Sequence, residues 1–569
     1  MIKNLAKLAI EGGGSVTPII IPSSLTDGTG LCNPAINKID GELKLNLRHV
    51  KYTLYHSEQC KFPLHWGPLS YLNREDDIKL RTVNYLCDVD SKTLALKSFE
   101  QVDTTKLDVE PIWEFIGLED GRLVKWDDKE YLCGVRRDTT TNGEGRIEFS
   151  EIKDGKEINR YRIQPPGEPT YCEKNWMPIN DMPFHFVKWS NPTEVVKVNL
   201  KTLSSEVVHL NTNSITTSRD LRGSSHVIKY KDHYIAITHE VDLWYNEQNQ
   251  KNTQYYHRFV VWDKNWDIVN ITDEFKFFNA GVEFVCGMVE HKDNLLISLG
   301  FQDNAAYIVQ LPNDVFDAFL NKTELPKNKS CSVETHDLLY KFTMDTLNPI
   351  HNFNLGQHYF TQNQYASALS FFLRVAEYGE NKDMIYESLM KVAQCIHLTK
   401  GRDSSTKSAF QNAINYQPER PEAYLLLSMF HESKSEWFDS HTLATIALSL
   451  KHNLKKTITD VGAGEEYKIY FQLAVTNWWV GKGDLSRKMF IDLVHNYQHE
   501  LSDRYKDLIS KNIKQLHRHP HPHFKYTALD HSNLKYKFEG SEEIKSNYSQ
   551  TYQDMFVLAA LNGKKNGTY

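Results

Sequence analysis

The chain has 569 residues, of which 40% are hydrophobic, 12% aromatic and 24% charged, with a formal net charge of −7. That length is more than one hydrophobic core fills, and about 150 residues per domain gives three or four units. The mild charge excludes a nucleic-acid-coating protein, and no run reaches the roughly eighteen apolar residues that span a bilayer.

The first residues, MIKNLAKLAIEGGGS, hold too short an apolar stretch for a secretory signal. The eight cysteines form no C-x-x-C pair and sit mostly in apolar strand contexts, which reads as free buried thiols in a reducing compartment. A cytoplasmic location is the expectation.

From residue 16 onward one pattern recurs: a short alternating run, a turn of Gly, Asp, Lys or Asn, and a second run with a polar end. The copies are IDGELKLNLRH (39–49), VKWDDKEYLCGVRRD (124–138), MPINDMPFHFVKWS (177–190), VIKYKDHYIAITHE (227–240) and MVEHKDNLLISLGFQD (288–303). Alternation about a tight turn marks a β-hairpin, and self-similarity near fifty residues marks a propeller. Five copies predict a five-bladed β-propeller over residues 16–312. Their polar ends, Arg48-His49, Arg136-Arg137-Asp138, Lys188, His239-Glu240 and Gln302-Asp303, are then expected to converge on one funnel.

Helical signals begin at NDVFDAFLN, and a polar stretch makes 313–339 a linker. Over 340–515 the pattern is of paired helices. Leu355, Gly356, Tyr359, Ala368 and Phe372 carry the small-and-large spacing of one helix pair, which resembles the tetratricopeptide repeat, followed by degenerate copies. The expected class is thus multidomain β plus α, a propeller followed by an α-solenoid whose concave face fits a protein or peptide partner. Residues 516–546, with HRHPHPHF, read as a second linker and not as a metal site. The last stretch, NYSQTYQDMFVLAALNGKKNGTY (547–569), resembles the opening of FkbM-type S-adenosylmethionine-dependent methyltransferases and stops before their glycine-rich loop. No cofactor is therefore expected in this chain.

The sharpest motif is the turn Gly117-Leu118-Glu119-Asp120-Gly121-Arg122. It resembles the Gly-(Ile/Leu)-Glu-Asp-Pro-Arg turn of the glycoside hydrolase family 130 mannoside phosphorylases and related β-mannosyltransferases, with Gly121 in place of proline. The resemblance covers roughly residues 16–312. It implies a five-bladed sugar enzyme with Asp120 as general acid and Glu119 and Glu283 as further catalytic candidates. Asn33, which precedes the LNLRHVKY stretch, the CEKNWMP segment with Glu173, Lys174, Asn175 and Trp176, and Asp303 are the matching sugar-contacting positions.

The residue types suit glycosyl transfer. Exchange at a glycosidic bond needs an acid on the leaving oxygen, and a phosphate-bearing donor needs fixed cations, for which arginine's fork is well shaped. Arg48, Arg122, Arg136, Arg137, Lys174, Arg222 and His226 fall at expected strand ends or turns, with Asp138 and His239 beside them, and Trp176 and Trp189 are candidates to stack on a sugar. The expected substrates are a sugar nucleotide or sugar 1-phosphate donor and a hydroxyl acceptor, with a mannose-like hexosyl group moved between them. A glycoside hydrolase of the same fold and a non-catalytic glycan-binding scaffold are the alternatives.

Overall fold

The computed structural model describes residues 2–326 and 333–518. It divides into two compact units, the first ending at Asn412 and the second beginning at Ala413. The expected 547–569 methyltransferase-like segment, the His/Pro stretch beyond residue 518 and most of the second linker lie outside the described residues.

The first unit is built on successive antiparallel sheets. Leu31–Ile39, Glu42–Val50, Leu80–Val89 and Leu96–Gln101 form one, joined by the short parallel strand Phe115–Ile116. Glu119–Trp126, Lys129–Arg136, Arg146–Lys153 and Lys156–Arg162 form the next. Met177–Pro178, His185–Ser190, Thr193–Asn199 and Ser204–Leu210 form a third. In the last, Glu283–His291, Asn294–Phe301 and Ala305–Pro312 are completed by Ser15–Ile19 from the chain's start, which pairs with the final strand.

These four sheets have the form of propeller blades, so the expectation of five equivalent blades is corrected to four. The hairpin around 227–240 lies instead in a seven-stranded sheet. Its strands His233–Tyr245 and Lys251–Trp262 run 13 and 12 residues, longer than a blade accommodates. Short pieces pair with them, namely Arg222–Gly223, Ile228–Tyr230, Ile268–Ile271 and Phe275–Lys276, the last joined in parallel by Lys3–Asn4.

Apolar faces of neighbouring sheets pack against each other, so the core is distributed between sheets. Trp126, Phe149, Phe186 and Val196 fill one such layer, Met177, Val195, Val260 and Trp262 another, and Leu31, Leu45, Leu296 and Ile308 a third. The strands Leu31–Ile39, Glu119–Trp126 and Glu283–His291 touch one another on the inside. Their first residues therefore open at the same end.

The segment expected as the first linker opens with the helix Asn313–Leu320, and Asp337–Met344 leads into Pro349–Thr361, Tyr365–Tyr378 and Lys382–Leu398. Asn348 caps its helix by accepting from the backbone of Ile350 and His351, with Pro349 at the first position. Gly356 is small because a Cβ there would lie 3.2 Å from the Phe372 ring of the next helix. This helical group belongs to the same unit as the sheets. Phe301, from the last sheet, stacks on Phe371 at 5.1 Å and meets Phe342 edge-on at 6.1 Å.

The second unit contains Glu422–Ser433, Trp437–Ser449, Glu466–Trp479, Gly483–Tyr497 and Asp503–Arg518, each packed on the next around Ala444, Leu473, Ala474, Phe490 and Leu493. Ser428 and Ser440 bring the first two helices together by donating to each other's carbonyl at 2.7 and 2.8 Å. No helix among the described residues is long and apolar enough to cross a membrane.

Phe301 joins sheet and helices through its ring, against Phe371, Phe342 and the Arg374 guanidinium at 5.8 Å. Phe301→Ala is expected to cost about 3–5 kcal/mol of stability in the first unit, read as a lower denaturant midpoint in guanidinium unfolding followed by tryptophan fluorescence.

Candidate functional site

The centre of the site is the bulged start of the strand Glu119–Trp126. Register against Lys129–Arg136 slips between Glu119 and Arg122, and Asp120 takes a left-handed conformation at φ 52°. The slip frees its side chain to point out of the ladder. Its backbone carbonyl accepts from Arg122 at 2.9 Å and from the Cys286 thiol at 3.6 Å, and the Gly121 carbonyl accepts from the Asn46 amide at 2.7 Å. The turn is thus held from three directions by side chains. Arg122 also reaches Ser224 of the seven-stranded sheet, donating to its carbonyl at 2.8 and 2.6 Å.

The Asp120 carboxylate accepts from Asn33 at 2.7 Å and from Arg48 at 2.8 Å. Arg48 is fixed in turn by Thr82 at 3.2 Å, and its other face lies 3.7 Å from Glu119. Burial works against each of these charges, and the outcome differs by residue. For Asp120 burial pushes the carboxyl up, but Arg48 and the Asn33 hydrogen bond outweigh it and hold it below its ordinary value. For Glu119 burial prevails over Arg48, and the nearby Asp120 charge adds to the rise.

Asp303 faces the same group from the turn between Asn294–Phe301 and Ala305–Pro312, where Gln302 and Asp303 are both left-handed at φ 53° and 48°. Burial raises its carboxyl to about 6, with Arg48 and Lys174 pulling down and Asp120 and Glu119 pushing up. One site therefore holds a carboxylate kept ionised and a carboxyl that changes protonation near neutral pH.

Two cations complete it. Lys174 and Arg222 are exposed, and among the described residues neither is paired with an acid, yet both bear on the buried His239. Burial first, then His257, Lys174, Arg222 and Arg122, hold His239 well below its ordinary value, so its imidazole stays neutral. It stacks on Tyr255 at 5.7 Å and shares a hydrogen bond of 3.2 Å with Ser224.

The remaining expected site residues divide. Arg136 is buried among Glu148, Glu157 and Asp138, so its charge is already neutralised, and of the expected cage Arg48, Arg137 and Lys174 bear together on Glu119 while Arg136 does not join them. Arg137 lies over Phe115 at 4.7 Å and donates to the Gly143 carbonyl at 2.9 Å. Asp138 accepts from the Gly117 N–H at 2.8 Å and so holds the turn that precedes Asp120. Glu173 accepts from Thr170 and from the Trp176 indole, and Trp176 is buried against Phe186, which leaves it no face for a sugar. Asn175 is buried with φ 63°, His226 is buried against the Leu123 carbonyl at 3.1 Å, and Lys188 pairs with Glu194 at 3.3 Å.

Glu283 is not presented to the funnel. Its carboxylate accepts from the N–H groups of Phe277, Phe278 and Ala280 at 2.6, 2.8 and 2.8 Å, closing the loop before its strand. Sequence reasoning missed the tyrosines around Asp303, namely Tyr52, Tyr71 and Tyr255, whose phenol groups sense its charge. Tyr71 lies in the small sheet of Thr53–His56 and Leu69–Leu72, outside the repeat, where no motif points to it. Among the described residues His431, Glu436 and Asp439 come within metal-ligand reach of one another in the second unit, and His431 and Glu436 already share a 2.5 Å hydrogen bond.

No family model matches the chain, and no curated protein matches it. Solved structures do. The β-1,2-mannobiose phosphorylase of Listeria innocua aligns at 13% identity over 52% of this chain and 92% of its own, with a TM-score of 0.33. MPT-1, a GDP-Man-dependent mannosyltransferase of Leishmania mexicana, aligns at 11% identity over 56% and 94%, with a TM-score of 0.31. YrrB, a tetratricopeptide protein, aligns at 13% identity over 29% and 77%, with a TM-score of 0.23.

The raised Asp303 carboxyl has a consequence for stability. Because the folded state binds its proton more tightly than the unfolded chain, the contribution is favourable below the ordinary aspartate value and is lost as pH rises through about 6. Asp303→Asn removes that loss. Thermal melts of wild type and variant are expected to diverge in the variant's favour between about pH 4 and pH 7.

Proposed function

We propose that this chain is a glycosyl-transfer enzyme that moves a mannose-like hexosyl group between a phosphate-bearing donor and a hydroxyl acceptor at the Asp120 site. The observation that carries the reading is the convergence of Asp120, Glu119 and Asp303 on Arg48, with Lys174 and Arg222, which pair with no acid among the described residues, beside them. Carboxylates alone serve hydrolysis; unpaired cations beside them favour a substrate that brings its own negative charge. The resemblance of the turn 117–122 to the mannoside phosphorylases and mannosyltransferases supports the choice of sugar. It is an inference from motif and chemistry.

In transfer, the bond between the sugar's anomeric carbon and the phosphate oxygen breaks. The acceptor oxygen bonds to that carbon, and the acceptor's proton passes to a carboxylate. Asp303 suits the proton, because a group that titrates near the working pH gives and takes it with the least driving-force penalty. Asp120, kept ionised by Arg48 and Asn33, suits a fixed role, accepting a hydrogen bond from a sugar hydroxyl and orienting the reacting oxygen. The proton role expected for Asp120 from sequence thus moves to Asp303. Lys174 and Arg222 bind the phosphate, and the neutral His239 offers a hydrogen bond without adding charge.

The purified full chain incubated with mannose 1-phosphate or GDP-mannose and a panel of hydroxyl acceptors is expected to give a glycosylated product by mass spectrometry. Asp303→Asn should lower turnover by about a hundredfold or more while donor binding survives. Wild-type transfer should rise with pH through about 6 as Asp303 ionises, and phosphorolysis should fall over the same range. Asp303→Asn should abolish both inflections. Replacing Lys174 and Arg222 together by alanine should weaken mannose 1-phosphate binding by about tenfold or more in calorimetry. Unchanged affinity in that double variant would remove the phosphate from the reading.

A further inference from the structure

We infer that the first helical repeat is part of the reactive centre, with Arg374 and Ser370 acting as positioning residues for the turn that carries Asp303. The inference rests on the glycosyl-transfer reading for the role of Asp303, and on contacts alone for the coupling itself. It departs from the expectation that the repeats serve chiefly as a partner surface.

The turn is gripped on both sides of Asp303. On the C-terminal side the Asn304 amide donates to Ser370 at 2.8 Å and to the Leu54 carbonyl at 2.7 Å, and Ser367 donates to the Asn304 carbonyl at 2.8 Å. Ser367 and Ser370 are neighbours one turn apart on the helix Tyr365–Tyr378, so a single helical face holds the residue next to Asp303. On the N-terminal side Gln302 donates to Glu58 and bonds His56 at 2.9 Å. Glu58 is itself clasped by Arg374 of the same helix, at 2.7 and 2.9 Å, and by the Tyr378 hydroxyl at 2.7 Å.

Arg374 and Glu58 are almost wholly buried, with side chains 2% and 5% exposed. A buried ion pair is a poor source of stability, since desolvation offsets most of its attraction, but its geometry is specific. Burial pushes the Glu58 carboxyl up, yet Arg374, His56 and the Gly281 N–H hold it below its ordinary value, so it stays charged and keeps Gln302 in place. Both Gln302 and Asp303 adopt left-handed backbone, which side chains with a Cβ reach only under constraint. The helix supplies that constraint. Without it the turn relaxes, and Asp303 loses the burial that raises its carboxyl, together with its place among Arg48, Asp120, Glu119 and Lys174.

The test uses the full chain as wild type, Arg374→Gln, Arg374→Lys and Ser370→Ala, with two readouts that need no substrate. Hydrogen–deuterium exchange reports the peptide around 300–306, and carbodiimide labelling across pH, resolved by mass spectrometry, reports protonation at Asp303. Arg374→Gln is expected to speed exchange in that peptide by about tenfold or more, with little change in the sheets remote from it. It should also move the Asp303 labelling midpoint from about 6 to below about 5, with Arg374→Lys intermediate. A folded Arg374→Gln with unchanged exchange and an unchanged midpoint overturns the inference. If Arg374→Gln does not fold, Ser370→Ala decides by the same two measurements, and no change in either overturns it. Failure to find glycosyl transfer in the wild type would remove the reading of Asp303's role and leave these two measurements intact.

Discussion

One cation answers for three acids. The Arg48 guanidinium donates to Asp120, lies near Glu119 and moderates Asp303, and it does so from a buried position where Thr82 fixes its plane. Remove its charge and three carboxyl groups would share a poorly hydrated site, in which they could not all remain ionised. With it in place the site is asymmetric: Asp120, in direct contact, is kept anionic, while Asp303, farther from the cation's hydrogen bonds, is left able to hold a proton. Different roles for like side chains follow from how burial is balanced at each, by Arg48 and Asn33 in direct contact at Asp120 and only in part at Asp303.

The sheets exist, from this viewpoint, to bring distant segments to that cation. Asn33 and Arg48 come from the first sheet, Glu119 and Asp120 from the second, Arg222 and His239 from the seven-stranded one and Asp303 from the last. Most lie near where a strand begins or ends, while His239 sits in the middle of its 13-residue strand. Arg122, fully buried, bridges the second sheet to Ser224 and so fixes the angle between two of these contributors.

Much of this was legible in the sequence because hairpins announce themselves through alternation and turn residues. The same pattern pointed to Arg48, His239 and Asp303, and the turn 117–122 to Asp120, although His239 proves to lie in mid-strand. It failed where tertiary packing decides. The copy at 227–240 reads like its fellows, but its second strand runs on to 13 residues and pairs with Arg222–Gly223, Ile228–Tyr230 and the similarly long Lys251–Trp262. Arg136 and Arg137 look alike as adjacent cations, yet one is enclosed by Glu148 and Glu157 and the other lies on an aromatic ring. Glu283 and Trp176 matched a family pattern and are consumed by local bonds, which no single-sequence argument separates from function. Glu58 and Arg374 stand 316 positions apart and belong to different kinds of secondary structure, so neither carries a local signal of the other.

The strand Ser15–Ile19 pairs with Ala305–Pro312, and Lys3–Asn4 with Phe275–Lys276, so the chain's opening residues wait for partners nearly three hundred positions downstream. At about 5–20 residues per second of synthesis, that is a delay on the order of 15–60 s during which two sheets stand with an open edge. An unpaired edge is a template for another chain's strand, and long-range pairing is intrinsically slow. These upstream strands are therefore among the last to reach their places, and a chaperone that shields them during translation would act on the step that seals the molecule.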